Sequence, residues 1–275
     1  FINRKKPYTM QRRHFHDYWE IYYLVYGDRY YFIENESFHI QRGDLVLIPP
    51  NRIHKTYEGD YSDHGRVLME FEEDFLNENS RLFREKNICE QLYLQSGPIV
   101  FKGEDRKSAE QLFSKMIAEL FEEHEEEEAG FQIMLLSLFL LIIRQKHNET
   151  EKTAKKVGGE QEKIWEITQY LTQNYQEKIT LENLSKQFYL SKFYLCHLFK
   201  RTTGFTVVEY VHTVRMKEAC RMLSNTSCKI SKISEMLGYE SVTQFERIFY
   251  TYFQKSPTAY RKLREKNKET KMGKI

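Results

Sequence analysis

One pattern occurs twice in the last third of this chain, and the repetition constrains the fold more than any other feature. Residues 180–201 read TLENLSKQFYLSKFYLCHLFKR and residues 230–250 read ISKISEMLGYESVTQFERIFY. Each copy reads as a short amphipathic helix, a tight turn and a second helix. That is a helix-turn-helix, a unit that lays its second helix in the major groove of DNA. A single copy is a weak signal. Two copies about fifty residues apart, joined by a further helix, point to a double-stranded DNA partner.

Charge divides the chain in the same place. The net charge is only +2, yet residues 160–275 hold 20 Lys+Arg against 12 Asp+Glu, while residues 1–159 hold 22 against 28. A basic half and an acidic half imply two jobs, and the basic half suits a polyanion. Hydrophobic content of 40% and charged content of 30% fit a water-soluble globular chain long enough for two cores. The most apolar run, residues 133–143, is too short to span a bilayer, so no membrane partner is expected. The first residues show no basic region followed by an apolar core, so no secretory signal is expected. Cys89, Cys196, Cys220 and Cys228 form no C-x-x-C pair, which agrees with a reducing cytoplasm.

Along the chain the hydrophobic period changes. Residues 8–72 crowd β-branched and aromatic side chains into 19–32, 38–40 and 45–48, with turn signals at Gly27-Asp28, Glu34-Asn35-Glu36, Arg42-Gly43 and Pro49-Pro50-Asn51. Short strands at that spacing predict a barrel or sandwich over residues 1–75. From residue 76 to 147 the pattern turns helical: Ala109, Leu112, Phe113, Met116, Ile117 and Leu120 share one face. Residues 131–143 are apolar on nearly every side, which predicts either burial within the domain or a homodimer interface. Residues 148–160 form a polar linker, and residues 263–275 a loose basic tail.

In the first motif Thr180 and Ser191 suit helix N-caps, and Leu181, Leu184, Phe188, Leu195, Leu198 and Phe199 repeat on a core face. That leaves Lys192, Phe193, Cys196, His197, Lys200 and Arg201 outward. An outward Phe193 fits contact with a thymine methyl or a sugar, or packing under a neighbouring loop.

Residues 161–262 closely resemble the AraC family of bacterial transcription regulators. The resemblance rests on the hydrophobic and turn residues of both motifs, with Gly204, Tyr210, Arg215-Met216, Ala219, Leu223, Leu237-Gly238-Tyr239, Ser256-Pro257 and Tyr260-Arg261. It implies seven helices, with one long helix joining the two motifs. It implies recognition helices in adjacent major-groove segments, roughly 34 Å apart. It implies base contacts from Phe193, Cys196 and His197 in the first helix and from Val242, Thr243, Glu246 and Arg247 in the second. Lys192, Lys200, Arg201 and Gln244 suit phosphates or groove edges. Five positions depart from the family pattern: Tyr189 and Gln254 replace usual glycines, Val207 a usual proline, and Ser185 and Ser234 stand where alanine is common.

The front half contains His14-x-His16, three residues, Glu20, six residues, Gly27, and later Gly43, five residues, Pro49 and His54. This resembles the two motifs of a cupin barrel, with Asn51 where the second has glycine. Even numbering places His14, His16, Glu20, Tyr22, Leu24 and Tyr26 on one strand face. Three readings stay open for His14, His16, Glu20 and His54. They line a site for a small organic effector with Tyr22, they hold a first-row transition metal, or they are hydrogen-bonded wall residues.

The expected fold is therefore α+β: a cupin-like barrel with a helical hairpin, then an all-α domain at residues 161–262 with two helix-turn-helix motifs. The expected function is a cytoplasmic, dimeric transcription activator answering to a sugar or sugar derivative, with promoter DNA and RNA polymerase as partners. No catalytic residue and no resident cofactor is assigned. The rival readings are a metal-dependent cupin enzyme fused to a DNA-binding module, and a constitutive DNA-binding protein with a structural barrel.

Overall fold

A computed structural model of the chain describes residues 2–4, 15–59, 63–83, 87–119, 127–145 and 159–272. His14 lies outside the described residues, as does most of the 148–160 linker. The chain divides into two compact units, one of residues 1–10 and 16–157 and the other of residues 11–15 and 158–275.

The first unit is built on strands β1 (Ile2–Arg4), β2 (Trp19–Tyr26), β3 (Asp28–Ile33), β4 (Glu36–Gln41), β5 (Leu45–Ile48), β6 (His54–Glu58), β7 (His64–Phe71) and β8 (Gly97–Ile99). They form two antiparallel sheets, ordered β1-β7-β2-β5-β8 and β4-β3-β6. The two-residue period of β2 assigns its faces. Trp19, Ile21 and Tyr23 join Leu45, Leu47, Val67 and Met69 in a core shared with the helices. Tyr22 and Leu24 turn the other way and meet Val46, Ile48, Tyr31 and Ile40, a core drawn from both sheets. The alternation breaks at a register shift between Leu24 and Tyr26, so Tyr26 does not continue the inner face.

Helices α1 (Glu73–Glu78), α2 (Ile88–Leu94), α3 (Gly103–Glu119) and α4 (Glu127–Arg144) cover the outer face of the larger sheet. Tyr23 stacks on Phe113 of α3 at 3.8 Å, and Phe71 packs on Phe139 of α4 at 5.0 Å. Leu135, Leu138, Phe139 and Ile142 are buried in this core, so packing within the unit accounts for much of the apolar run 131–143. Ile133 and Leu140 stay 65% and 38% exposed.

The expected helical stretch 76–147 also contains β8. Gly97, at φ +107°, and Pro98 interrupt helix, and proline is tolerated at the sheet edge where β8 pairs with β5.

The second unit contains seven helices among the described residues: α5 (Glu160–Gln173), α6 (Leu181–Gln187), α7 (Lys192–Thr203), α8 (Val207–Asn225), α9 (Ile230–Met236), α10 (Val242–Phe253) and α11 (Pro257–Met272). Side-chain caps set several starts. Thr180, Ser191 and Ser241 each accept a hydrogen bond from the backbone N–H three residues on, and Thr206 forms a capping box with Glu209. α11 continues well past the point where a loose tail was expected. Residues 258–272 contain neither glycine nor proline and are rich in helix-forming Lys, Arg and Glu. No helix among the described residues is long and apolar enough to cross a membrane.

Candidate nucleic-acid interface and barrel site

The two helix-turn-helix units close their turns in the same way. In the first, Leu190 N–H donates to the Ser185 carbonyl at 2.9 Å; in the second, Tyr239 N–H donates to the Ser234 carbonyl at 3.1 Å. Such a Schellman closure requires a left-handed residue just before the donor. Gly238 fills that place with φ +74°, and Tyr189 fills it with φ +55°. The turn keeps the geometry glycine would favour although the residue is tyrosine. The left-handed conformation costs a non-glycine residue roughly 1–2 kcal/mol. Tyr189 is 92% exposed, so its side chain needs no space in the core. Gln254 is likewise left-handed, at φ +53°, where it caps α10.

On α7, Leu195, Leu198 and Phe199 are buried, while Lys192, Phe193, Cys196, His197, Lys200 and Arg201 are exposed. Phe193 is 83% exposed and stacks on His197 one turn later, with ring centroids 6.4 Å apart. It is not packed beneath a loop. On α10, Phe245 and Phe249 are buried, Thr243, Glu246 and Arg247 are exposed, and Val242 and Gln244 are half-buried. The residues singled out from the sequence therefore lie on the outer side of each second helix.

The two helices differ in their electrostatics. Lys192 pairs with Glu182 at 3.1 Å, Lys200 with Glu209 at 3.4 Å, and Arg201 with Glu160. Hydrogen bonds from Lys192 and Lys186 hold the Glu182 carboxyl below the usual glutamate range. None of the ion pairs among the described residues involves Arg247 or Glu246. Two of these acidic partners, Glu160 and Glu209, went unnoticed in the sequence because they lie outside the motifs.

A second feature the sequence did not assign is Arg215 of α8, which is buried. Its Nε donates to the Tyr175 carbonyl at 2.7 Å and its Nη2 to the Glu177 carbonyl at 3.0 Å. Its guanidinium also lies 5.0 Å from the centre of the Tyr239 ring. One side chain thus ties the loop before the first motif to the turn of the second. Arg215 belonged to the family-like pattern, and its burial was the missing signal.

In the first unit, His16, Glu20 and His54 come together. Glu20 projects from the inner face of β2 and is buried. His16 precedes β2 rather than lying on it, so the expected strand face does not place it. Instead its Nδ1 bonds the Tyr18 carbonyl at 2.8 Å, its ring stacks on Tyr18 at 3.9 Å, and its carbonyl accepts from Asn51 N–H at 2.6 Å. Asn51 has φ +62°, a conformation asparagine tolerates better than most residues, which explains how it stands where glycine is usual. The same turn leads into β6, where His54 bonds the Arg52 carbonyl through Nδ1 at 2.8 Å.

Glu20 Oε2 lies 3.3 Å from His16 Nε2 and 3.8 Å from His54 Nε2, and Oε1 accepts from the Tyr31 hydroxyl at 2.8 Å. Burial alone would raise the Glu20 carboxyl, but the His16 and His54 imidazoles and the Tyr31 hydroxyl outweigh it and bring it down to about 2. Burial pushes the His54 imidazole down against the pull of Glu20. Burial and the adjacent carboxylate push the Tyr31 phenol well up, so it remains a donor.

Tyr22 lies on the same inner face, its ring edge-on to Tyr31 at 5.3 Å. Two buried arginines were not foreseen: Arg66 sits 5.4 Å from the Tyr22 ring centre, and Arg29 Nε reaches the Thr56 hydroxyl at 3.4 Å. Their parity on β3 and β7 was the available signal.

A family model described as AraC-like ligand binding domain matches residues 3–143, more than half of the chain, and one described as helix-turn-helix domain matches residues 184–263. The chain is 28% identical over 269 residues to the uncharacterized HTH-type transcriptional regulator YisR of Bacillus subtilis (strain 168), covering 94% of this chain and 90% of that one. It is 24% identical over 246 residues to the lactose operon transcription activator of Staphylococcus xylosus, covering 88% and 82%. Among solved structures, the C-terminal domain of the two-component response regulator yesN from Fusobacterium nucleatum is 33% identical, with a TM-score of 0.34, over 34% of this chain and 93% of that one. With the ligand-binding-domain model matching more than half of the chain and the helix-turn-helix model matching the paired motifs, the chain belongs to the AraC family of HTH-type transcription regulators.

Proposed function

We propose that this regulator binds promoter DNA through α7 and α10, activates transcription with RNA polymerase as partner, and responds to a small polar effector held in the barrel. The observation that carries the DNA reading is the pair of second helices, each with its inner side in the core and its candidate contact residues outward. Arg247 suits a guanine edge, Phe193 a thymine methyl, and Lys192, Lys200, Arg201 and Gln244 the backbone or groove edges. The effector reading is supported by His16, Glu20, Tyr22 and His54 on one side of the interior. A sugar would find hydrogen-bond partners there, as the lactose-operon name of one relative suggests. Buried Arg29 and Arg66 favour a derivative bearing a carboxylate or phosphate. The chain works in the cytoplasm as a dimer, and the exposed Ile133 and Leu140 of α4 are its candidate contact.

An effector matters only if it prefers one arrangement of the two units over another. The test selects genomic DNA fragments with the full chain and measures their affinity with and without candidate sugars, sugar acids and sugar phosphates. Preference for selected over random DNA, weakening steeply with salt, supports the DNA reading. Equal affinity for both overturns it. An effector response lost in the Tyr22→Phe and Arg66→Gln double variant supports the barrel as sensor, and a response kept in that variant moves the sensor elsewhere.

A further inference from the structure

We propose that Arg215 is a positioning residue: on the reading that α7 and α10 carry the DNA contacts, it fixes the spacing between the two DNA segments they engage. The loop between α5 and α6 belongs in sequence to the first motif, since Thr180 at its end caps α6. In space it is fastened to the second. Tyr175 packs on the buried cluster that includes Met216, Ile233 and Tyr239. The Tyr175 and Glu177 carbonyls accept from Nε and Nη2 of Arg215, at 2.7 and 3.0 Å. The Gln176 carbonyl between them lies against Gly238, where a Cβ would overlap it. Lys178 reaches Glu240 at 3.1 Å.

Arg215 is the centre of this contact. It is buried on α8, the helix that joins the motifs. Besides the two carbonyls, its guanidinium meets the Tyr239 ring, 5.0 Å from the ring centre. His212, one turn earlier on α8, stacks on the same ring at 5.9 Å, and its Nδ1 lies 3.2 Å from the Tyr239 hydroxyl. Tyr239 stands two residues before Ser241, the cap of α10. One side chain therefore holds the chain just ahead of α6 and just ahead of α10.

Rocking of one motif against the other must break this set of contacts. A guanidinium suits the task, because its planar fork holds two acceptors at a fixed angle while its face meets an aromatic ring. Charged hydrogen bonds of this kind are strong, and the low local dielectric of a buried site strengthens them further. The helical form of DNA makes the resulting spacing matter. B-DNA turns once in about 10–10.5 base pairs, so one added pair rotates the second segment by about 35°. Two rigidly joined helices cannot follow that rotation, and the gain from joining them is lost where geometry forbids both to engage. Helices joined with play can follow it, at lower avidity.

The experiment uses the full chain and a genomic fragment that it selects. The segments read by α7 and α10 are assigned from the base changes that His197→Ala and Arg247→Ala no longer feel. One base pair is then inserted or deleted between the segments. Affinities are measured for these duplexes and for duplexes with one segment randomised. The unmodified chain should lose about tenfold or more on either change of length. Arg215→Met keeps an apolar stem and removes the fork. It should bind the correct-length site about tenfold more weakly, lose less than about threefold on a change of length, and bind single-segment duplexes within about twofold of the unmodified chain. Arg215→Lys keeps the charge without the fork, guards against a Met variant that fails to fold by circular dichroism, and should shift in the same direction. Lys178→Ala removes only an exposed pair and should leave the spacing preference unchanged. Folded Arg215 variants that keep the full spacing penalty, or that weaken on single-segment duplexes as much as on the whole site, overturn the proposal, as does unfolding of both: the arginine then serves stability alone. An unmodified chain indifferent to spacing overturns it too, as does a Lys178→Ala variant as relaxed as Arg215→Met. An unmodified chain with no preference for the selected DNA sinks the reading of α7 and α10 as well.

Discussion

The two helix-turn-helix units of this chain share a backbone and differ in almost everything attached to it. Each closes its turn with a left-handed residue, and each starts its second helix at a capping serine. In the first unit the left-handed residue is an exposed tyrosine, and the cations of the second helix are paired with acids from α5, α6 and α8. In the second unit it is a glycine pressed against the rest of the domain, and the exposed arginine has no ion-pair partner among the described residues. The lesson is that the motif fixes a shape while its neighbours fix what that shape tolerates and what it presents. A turn facing solvent accepts a side chain at a modest conformational cost. A turn packed against the Gln176 carbonyl and Arg215 does not.

The sharpest test of that contrast is stability. In Gly238→Ala the new Cβ falls on the Gln176 carbonyl oxygen, at a backbone position already strained for an L-residue. The conformational and steric terms together should cost about 2–4 kcal/mol, measured by urea denaturation of the full chain. A loss below about 1 kcal/mol would show that the turn relaxes freely.

Next in size is recognition. Arg247→Ala should reduce the ratio of specific to random DNA affinity by about 5- to 150-fold, the worth of a bidentate guanine contact. Lys200→Ala should weaken all sequences alike. If the two variants behave identically in competition binding, the difference drawn between the helices has no counterpart in recognition.

Tyr189→Gly tests the first turn and should run opposite to the second. Relief of the left-handed tyrosine should stabilise the chain by up to about 1 kcal/mol, the glycine's greater unfolded-state freedom offsetting part of the gain. Destabilisation would mean that the exposed ring makes a contact the present geometry does not explain.

The smallest effect concerns the paired cations. Glu160→Gln with Glu182→Gln should release Arg201 and Lys192 for phosphates. DNA affinity should rise about two- to fivefold at low salt, and its salt dependence should steepen, since exposed pairs are individually weak but each freed cation displaces counterions. An unchanged salt slope would place these cations away from the DNA.

Much of the second unit was legible from sequence because its signals are local. Thr180, Ser191 and Ser241 announce helix starts, and Leu184, Leu195 and Leu198 repeat on the face that the structure buries. The left-handed Tyr189 and Gln254 could not be read from residue type, because there the surrounding helices impose a conformation the residue itself disfavours. In the first unit, parity placed Glu20 and Tyr22 inward but misplaced His16, which belongs to a loop, and Tyr26, which follows a register shift. The apolar residues 131–143 were ambiguous for another reason: composition records how much surface asks for burial, not which surface answers.

The sequence by itself determined the period of each segment, the capped helices, the two motifs and the division between an acidic and a basic half. These follow from interactions within a few residues, where spacing and side-chain chemistry suffice. The tertiary structure alone decided that His16, Glu20 and His54 meet, that Tyr31 holds the carboxylate between them, that Arg215 joins the two motifs, and that α7 wears its cations in pairs. Each of those contacts links residues brought together by packing, and packing depends on how whole faces of strands and helices fill space, which no local pattern encodes.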